Sequence, residues 1–306
     1  MYRLAGSSFV GARKSVNQDA YCALCARTPH GDAALVAVCD GVGGLSSGEL
    51  ASSAAVRELS RWFEHDLAAI VAGGPAGPAP RDESWAVDAQ ASLAALIGDL
   101  NARMRRYGAD LNVRLGTTLT ALVAHRGRFL VAHVGDCRAY RSGEKGAEQL
   151  TRDQTLIQEE VDAGRIGARE ALTHPKGSVI LQAVGACDEV APVFTHGACR
   201  GGEIFLVCSD GLYRRQGEGV IGSALARAGA DVSEEGLLDA LGDLTAAALD
   251  AGENDNITGV LLYAEGPRDA GVPAGAFPAP TGAWPAAFSS ALLADDEPTL
   301  ALGGGE

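Results

Sequence analysis

The chain has 306 residues, of which 47% are hydrophobic, and a formal net charge of −14. These values predict one main folded domain with a large core, and the acidic balance argues against nucleic acids and anionic membranes as partners. We also expect a cytoplasmic protein, because the sequence shows neither a secretory leader pattern nor an apolar stretch of the roughly 18 residues that span a bilayer.

The N-terminal half begins with a strand and continues with helices. The apolar run 34–39 is rich in valine and alanine, which predicts a buried strand, and it ends at Asp40 followed by glycine. Helical periodicity follows over 49–70 and again over 87–107. The stretch 72–82 is rich in glycine and proline, so we expect a loop between these helices.

The middle of the chain repeats the pattern of a strand that ends in aspartate. The run 129–134 leads to Gly-Asp at Asp136, and the run 204–208 leads to Ser-Asp-Gly at Asp210. Between these strands, 153–172 predicts one or two short helices. Glycines beside aspartates are typical of turns at strand ends.

The C-terminal part contains one more helix and one more strand. Periodicity predicts a helix over 233–251, and Asp255 immediately precedes the apolar run 257–263. Because strands and helices come in clusters, we expect an α+β fold in which helices cover a mostly antiparallel pair of sheets.

The aspartates at strand ends suggest a metal centre. A single Asp-Gly is ordinary turn chemistry, but clustered carboxylates repel one another and are tolerated mainly where cations neutralise them. Oxygen ligands without thiolate or imidazole favour hard ions such as Mg²⁺ and Mn²⁺. Two such ions that share a carboxylate can activate water and promote displacement at phosphorus, so the pattern favours hydrolysis of phosphate esters.

Several short motifs occur in the order typical of one enzyme family. They are Asn17-Gln-Asp19, Asp40-Gly-Val-Gly-Gly44, Gly116-Thr-Thr118, Val134-Gly-Asp-Cys-Arg-Ala-Tyr140, Asp153-Gln154, Ala183-Val-Gly185, Leu206-Val-Cys-Ser-Asp-Gly-Leu212 and Asp255-Asn-Ile-Thr258. Over roughly residues 5–265 the chain resembles the metal-dependent protein phosphatases, the type 2C serine/threonine phosphatases, in their bacterial form. The resemblance implies a central sandwich of two antiparallel β-sheets flanked by helices on both faces.

The resemblance also implies a set of metal ligands. Asp40 matches the carboxylate that bridges two Mn²⁺ or Mg²⁺ ions, and the carbonyl of Gly41 is a further ligand. Asp210 and Asp255 match ligands of the other ion of the pair. Asp19 matches a carboxylate that holds a water bound to metal.

Further implications concern a third ion and the reaction. Asp136 matches an aspartate that, with Asp210, binds a third and weaker ion, and Asn256 matches a residue that orients the loop of Asp255. The implied activity is hydrolysis of phosphoserine and phosphothreonine in phosphoproteins by metal-activated water, without a phosphoenzyme. The implied partners are phosphoprotein substrates and a cognate Ser/Thr kinase, and we expect a monomer.

The chain departs from the family pattern at three places. Gln18 stands where many eukaryotic members have a glutamate ligand, and an amide oxygen is a poorer metal ligand than a carboxylate. Val42 stands where those members have a histidine proposed as general acid, which makes the sequence bacterial in type. At the position of the arginine that binds phosphate the chain has Lys14, preceded by Arg13, and either cation could serve.

The sequence predicts a catalytic domain over 1–265 and a disordered tail over 266–306, which is rich in proline, alanine and glycine. Within the domain, 165–198 corresponds to a flap beside the active site in bacterial relatives, although a plain surface loop fits its composition equally well. The tail is either a solvated extension or presents Thr299, in an acidic motif, to a kinase or a phosphothreonine-binding domain.

Two other functions are compatible with the same scaffold. A catalytically silent binding module would normally have lost one or more of the core aspartates, and all of them are present here. A phosphohydrolase for small molecules would keep the same metal ligands, because the surrounding loops rather than the ions select the substrate.

Overall fold

The computed structural model describes residues 1–42, 47–72, 84–143, 146–171, 174, 176–216 and 219–266. Within these ranges the chain forms two five-stranded sheets whose neighbouring strands are all antiparallel. The first sheet has the spatial order β1 (Tyr2–Phe9), β10 (Ile257–Ala264), β9 (Ile204–Cys208), β6 (Arg138–Gly143) and β7 (Gly146–Gln149). The second has the order β2 (Asp19–Thr28), β3 (Gly31–Asp40), β4 (Leu119–His125), β5 (Arg128–Val134) and β8 (Val193–Ala198).

Helices occupy the connections between strands. They are α1 (Gly48–Trp62), which continues through a π-helical turn (Phe63–Leu67) into α2 (Ala68–Ala72), then α3 (Ser84–Leu111), α4 (Leu156–Asp162), α5 (Ala168–Ala171), α6 (Asp210–Tyr213), α7 (Val220–Ala230) and α8 (Glu234–Asp250). The predicted helices 49–70 and 87–107 correspond to α1 with its continuation and to α3. The loop predicted at 72–82 lies almost entirely outside the described residues.

The central strands β3, β4 and β5 of the second sheet are almost entirely buried. Since successive side chains of a strand point to opposite sides, they pack into a core on each face of the sheet. Leu35 of β3 joins Leu59 of α1 and Leu93 of α3 in one core on the outer face. Its neighbour Val36 joins Val207 of β9 in the core between the two sheets. Long apolar runs without polar alternation are typical of strands covered on both faces.

The outer face of the first sheet is covered by the C-terminal helices. Leu206 of β9 and Leu261 of β10 share a core with Leu225 of α7 and Leu241 of α8. The layers are therefore helix, sheet, sheet and helix, which confirms the α+β sandwich predicted from the sequence.

Antiparallel pairing brings the predicted site residues to one end of each sheet. Since β4 lies between β3 and β5, the latter two strands run in the same direction and end at the same edge. Asp40 is the last residue of β3 and is paired in register with Asp19, the first residue of β2. In the first sheet, the end of β9 lies beside the beginning of β10, which puts Asp210 near Asp255.

The segment 165–198 contains regular structure at both ends. It includes α5, and its last six residues form β8, the edge strand that pairs with β5. Only the part between them is irregular among its described residues, and its role as a flap stays a prediction. The tail 267–306, including Thr299, lies outside the described residues.

Candidate metal centre

Asp40 is held at the end of β3 by the Gly-Thr-Thr motif. Its N–H donates to Thr118 Oγ1 at 2.9 Å, and its carbonyl accepts from the hydroxyl of Thr117 at 2.9 Å and the N–H of Thr118 at 2.8 Å. Thr117 is in turn paired with Val184 by two backbone hydrogen bonds of 2.9 and 3.0 Å. Two of the short motifs in the sequence therefore serve to position this carboxylate.

Gln18 joins the backbone of three segments around Asp40. Its carbonyl accepts from the N–H of Gly41 at 2.9 Å, and its N–H donates to Asn256 Oδ1 at 3.0 Å. A Cβ atom on Gly41 would lie 2.5 Å from the backbone of Gly48, so only glycine allows this approach. The side-chain amide of Gln18 lies against Gly48 at the start of α1. The contacts of Gln18 therefore join parts of the protein to one another.

Asp19 is buried and connects the two sheets. Its Oδ2 accepts from Ser209 Oγ at 2.8 Å, and Ser209 Oγ also accepts from the N–H of Thr258 at 3.0 Å. Its Oδ1 is buried and has no hydrogen-bond partner among the residues that the structure describes. Asp19 therefore has one carboxylate oxygen that none of those residues engages.

The loop that carries Asp255 is held from both sides. Asn256 donates through Nδ2 to the carbonyls of Val10 (2.7 Å) and Val16 (3.2 Å). On the other side, buried Glu253 accepts through Oε1 from the N–H of Asp255 at 3.0 Å. These contacts agree with the expectation that Asn256 orients this loop.

Lys14 lies at the Asp255 carboxylate, with Nζ 2.6 Å from Oδ1. Its side chain is 36% exposed, so the ammonium is accessible from solvent. Arg13 is exposed on the same loop. The structure thus brings one of the two predicted phosphate-binding cations into contact with a predicted metal ligand.

Asp210 is the first residue of α6 and is almost completely buried. Its Oδ2 forms an ion pair with Nη2 of Arg214, one turn along the chain. Within the described part of the chain its Oδ1 is buried without a hydrogen-bond partner, like Oδ1 of Asp19.

Asp136 lies in the turn between β5 and β6. Gly135 has a φ of +103°, a conformation that favours glycine, and it exchanges two hydrogen bonds with Gln154, at 2.7 and 2.8 Å. The hydroxyl of Tyr213 donates to the carbonyl of Asp136 at 2.7 Å. The turn is therefore tied to α6, the helix that begins at Asp210.

Arg138 contacts Tyr213, the residue that ties α6 to the turn of Asp136. Its guanidinium forms a bidentate pair with Asp153, at 2.7 and 2.8 Å, and stacks 3.7 Å above the ring of Tyr213. The motif Asp153-Gln154 thus holds the turn of Asp136 through both of its side chains.

The carboxyl groups at this end of the molecule interact electrostatically. Burial raises the pKa of Asp40 well above its usual range, and Asp19, Asp136 and Asp255 add to the effect, which Arg214 opposes. Burial also raises the pKa of Asp19 to about 6, with a contribution from Asp255. Burial raises the pKa of Asp136 to about 6, against the opposing charge of Arg214.

The carboxylates do not meet at a single point. Among the residues that the structure describes, no three His, Cys, Asp or Glu side chains converge closely enough to form a complete ligand set. However, a buried carboxylate oxygen without a partner is costly, and Asp19 and Asp210 each have one. Oxygen donors, mutual repulsion and unpartnered oxygens together fit hard divalent cations.

Three residues that support the site were not predicted from the sequence. Arg214 pairs with Asp210, Glu253 holds the backbone of Asp255, and Ser209 donates to Asp19. Arg214 could have been noticed from its position four residues after Asp210, since i and i+4 are neighbours on a helix. Ser209 and Glu253 carry no such local signal, because their partners are fixed by strand pairing and loop conformation.

A sequence profile of the family described as protein phosphatase 2C matches residues 10–251. The chain belongs to the protein phosphatase 2C family. The matched range contains Asp19, Asp40, Asp136 and Asp210, and Asp255 lies just beyond it.

Individual members of the protein phosphatase 2C family show how far the similarity extends. The serine/threonine protein phosphatase PstP of Mycobacterium tuberculosis is 31% identical over 210 residues, which is 69% of this chain but only 36% of that relative. The solved structure of a serine/threonine phosphatase of S. agalactiae has a TM-score of 0.71 and 27% identity, and covers 87% of this chain and 100% of its own. The catalytic domain of PstP in complex with two manganese ions has a TM-score of 0.64 and 27% identity, covering 86% and 97% of the two chains.

No helix in the described part of the chain combines the length and the hydropathy needed to cross a bilayer.

Proposed function

We propose that the chain is a protein serine/threonine phosphatase that hydrolyses phosphoserine and phosphothreonine with two Mn²⁺ or Mg²⁺ ions. The observation that carries the proposal is that Asp19 and Asp210 each have a buried oxygen to which no described residue hydrogen-bonds, together with the raised pKa of the Asp40 carboxyl. Membership of the protein phosphatase 2C family supports it, as does the two-manganese complex of the PstP catalytic domain.

The ligand set of the proposal follows the strand ends. Asp40 would be the carboxylate shared by the two ions, with the carbonyl of Gly41 as a further ligand. Asp210 and Asp255 would be ligands of the second ion. When bound, the ions supply a water activated near neutral pH and stabilise the charge that develops on the phosphate. Asp19 would orient that water through Oδ1, because its Oδ2 is already engaged by Ser209.

An exposed cation beside the proposed metal centre would bind the phosphate group of the substrate. Lys14 is favoured over Arg13, because its ammonium already lies at Asp255 and remains accessible to solvent. Lysine offers a point charge rather than the bidentate fork of arginine, so it would attract phosphate without fixing its rotation. Since Val42 cannot donate a proton, the leaving alcohol would take its proton from water.

The decisive experiment measures hydrolysis of p-nitrophenyl phosphate and of a phosphothreonine peptide by the full chain with Mn²⁺, with Mg²⁺ and with EDTA. We expect turnover with either ion and none with EDTA. Asp40→Asn should lose about a thousandfold or more in kcat while it keeps a cooperative melt, because the bridging charge would be gone. Activity of Asp40→Asn near that of the wild type at saturating Mn²⁺ would contradict the two-ion assignment.

Substrate class is tested by comparing phosphopeptides with nucleotides at the same Mn²⁺ concentration. A higher kcat/KM for phosphopeptides supports the proposal, whereas a preference for nucleotides would indicate a phosphohydrolase for small molecules. The remaining parts of the proposal are a third and weaker ion at Asp136 and Asp210, a cognate Ser/Thr kinase, and a monomer that acts in the cytoplasm.

A further inference from the structure

Arg214 occupies an unusual position for a cation in a proposed metal centre. It follows α6 directly, and its N–H donates to the carbonyl of Asp210 at 2.8 Å. Its guanidinium pairs with Oδ2 of Asp210, whereas Oδ1 of the same carboxylate has no hydrogen-bond partner in the described ranges. The two oxygens of Asp210 are therefore divided between an internal cation and an open position.

The turn of Asp136 is tied to the residue that precedes Arg214. Tyr213, the residue that precedes Arg214, donates its hydroxyl to the carbonyl of Asp136 at 2.7 Å. The charge of Arg214 also opposes the effect of burial on the carboxyl groups of Asp136 and Asp40. Arg214 thus pairs with one of the two aspartates that the family resemblance assigns to a third ion, and its charge acts on the other.

We propose that the guanidinium of Arg214 competes with a third divalent ion for Asp210 and Asp136, and that this competition keeps the third ion weakly bound. The inference rests on the proposed two-ion function, because it concerns the ion beyond that pair.

The competition follows from the chemistry of arginine. A guanidinium keeps its charge at every pH at which the protein is folded, so it cannot be removed by deprotonation as a lysine could. A third ion that uses Asp210 Oδ2 must displace it. The backbone hydrogen bond keeps the main chain of Arg214 one helical turn from Asp210, within reach of its carboxylate. Because the arginine side chain is 34% exposed, solvent screens the pair and the competition is moderate.

The test is calorimetric titration of the full chain with Mn²⁺ at constant ionic strength after removal of bound metal. Arg214→Gln removes the charge and keeps much of the length, whereas Arg214→Lys keeps the charge. Arg227→Gln is the matched control, because it removes one arginine from an exposed ion pair with Asp243 on the C-terminal helices. Adding Asp136→Ala to Arg214→Gln identifies the ligand of the strengthened ion.

We expect Arg214→Gln to bind the weak ion about tenfold more tightly than the wild type does, with the two tight ions changed less than about threefold. Arg214→Lys and Arg227→Gln should stay within about threefold of the wild type, and the double variant should lose the gain.

An unchanged weak ion in Arg214→Gln, or no third ion in either protein, would overturn the inference. If Arg214→Gln instead weakened binding of the two tight ions, Arg214 would be a residue that supports Asp210. If Arg227→Gln raised the affinity of the weak ion equally, the effect would come from net charge alone. The titration needs no turnover, so a chain inactive on phosphopeptides still gives an answer.

Discussion

Burial raises the pKa of the carboxyl groups of Asp19 and Asp136 to about 6. Both groups therefore lie near the midpoint of their titration slightly below neutral pH, where small changes in proton concentration alter the charge of the centre. A divalent ion binds the ionised form, so ion binding and proton release are linked at these two residues.

We predict that Mn²⁺ binding releases more protons at pH 5.5 than at pH 7.5. Since the folded pKa values of Asp19 and Asp136 are raised, these carboxyls are mostly protonated below about 6 and ionised above it, so the Mn²⁺ affinity should rise with pH through that range. Each proton displaced should change the dissociation constant by about tenfold per pH unit below the pKa.

Titrations in buffers of different ionisation enthalpy measure this proton release directly. Asp19→Asn should release about one proton fewer at pH 5.5 than the wild type does. Equal proton release at both pH values would contradict the link between these carboxyls and the ions.

At the scale of elements, the central strands of the second sheet carry a buried polar contact that is separate from the metal centre. His133 of β5 has Nε2 at 3.1 Å from the carbonyl of Arg152, so this nitrogen carries the hydrogen. Nδ1 lies 2.9 Å from the hydroxyl of Thr120 on β4, which itself donates to the carbonyl of Cys137 at 3.1 Å. Both ring nitrogens therefore have polar partners, and it is burial that disfavours the charged form of the ring.

We predict that His133 makes the fold less stable in acid. Burial lowers its pKa to about 4, whereas in the unfolded chain it is about 6.5. Between these values the unfolded chain takes up a proton that the folded chain excludes, so the free energy of unfolding falls as pH falls. The contribution is intact above about pH 6.5, and about 3 kcal/mol is lost by pH 4.

Urea unfolding of the wild type and His133→Gln at several pH values isolates this effect. The difference between their free energies of unfolding should shrink as pH falls through this window, and His196→Gln on the edge strand β8 serves as the control. A difference that stays constant from pH 7 to pH 4 would show that His133 does not titrate in this way.

At the scale of the whole molecule, the first and last strands of the described structure are hydrogen-bonded to each other. The N–H of Glu265 donates to the carbonyl of Met1 at 2.9 Å, and Nε of Arg3 donates to Glu265 Oε1 at 2.8 Å. β1 pairs with β10 along its full length. The predicted metal ligands all precede β10.

We therefore predict that a chain ending at Gly266 keeps the fold and the activity. The composition of 267–306 offers little regular apolar surface to offset the ordering entropy of about 1–2 kcal/mol per residue. Hydrolysis of an aryl phosphate should stay within about threefold of the full chain, with a cooperative melt. A collapse of either would show that the tail packs on the domain.

The sequence alone was sufficient for the layered fold, and it indicated aspartates at the ends of buried strands whose role as metal ligands stays a prediction. Buried strands such as β3 and β9 are long apolar runs, and an aspartate that ends such a run is a local pattern that needs no tertiary information. The order of the short motifs then indicated the family, which the match over residues 10–251 confirms.

Only the tertiary structure decided how these carboxylates are partnered. Thr117 supports Asp40 across 77 positions of the chain, and Ser209 supports Asp19 across 190. Arg214 is close to Asp210 in sequence, whereas the contact that Tyr213 makes with the turn of Asp136 joins residues 77 positions apart. Such contacts are set by strand register and by the packing of one sheet on the other, which one-dimensional periodicity does not encode.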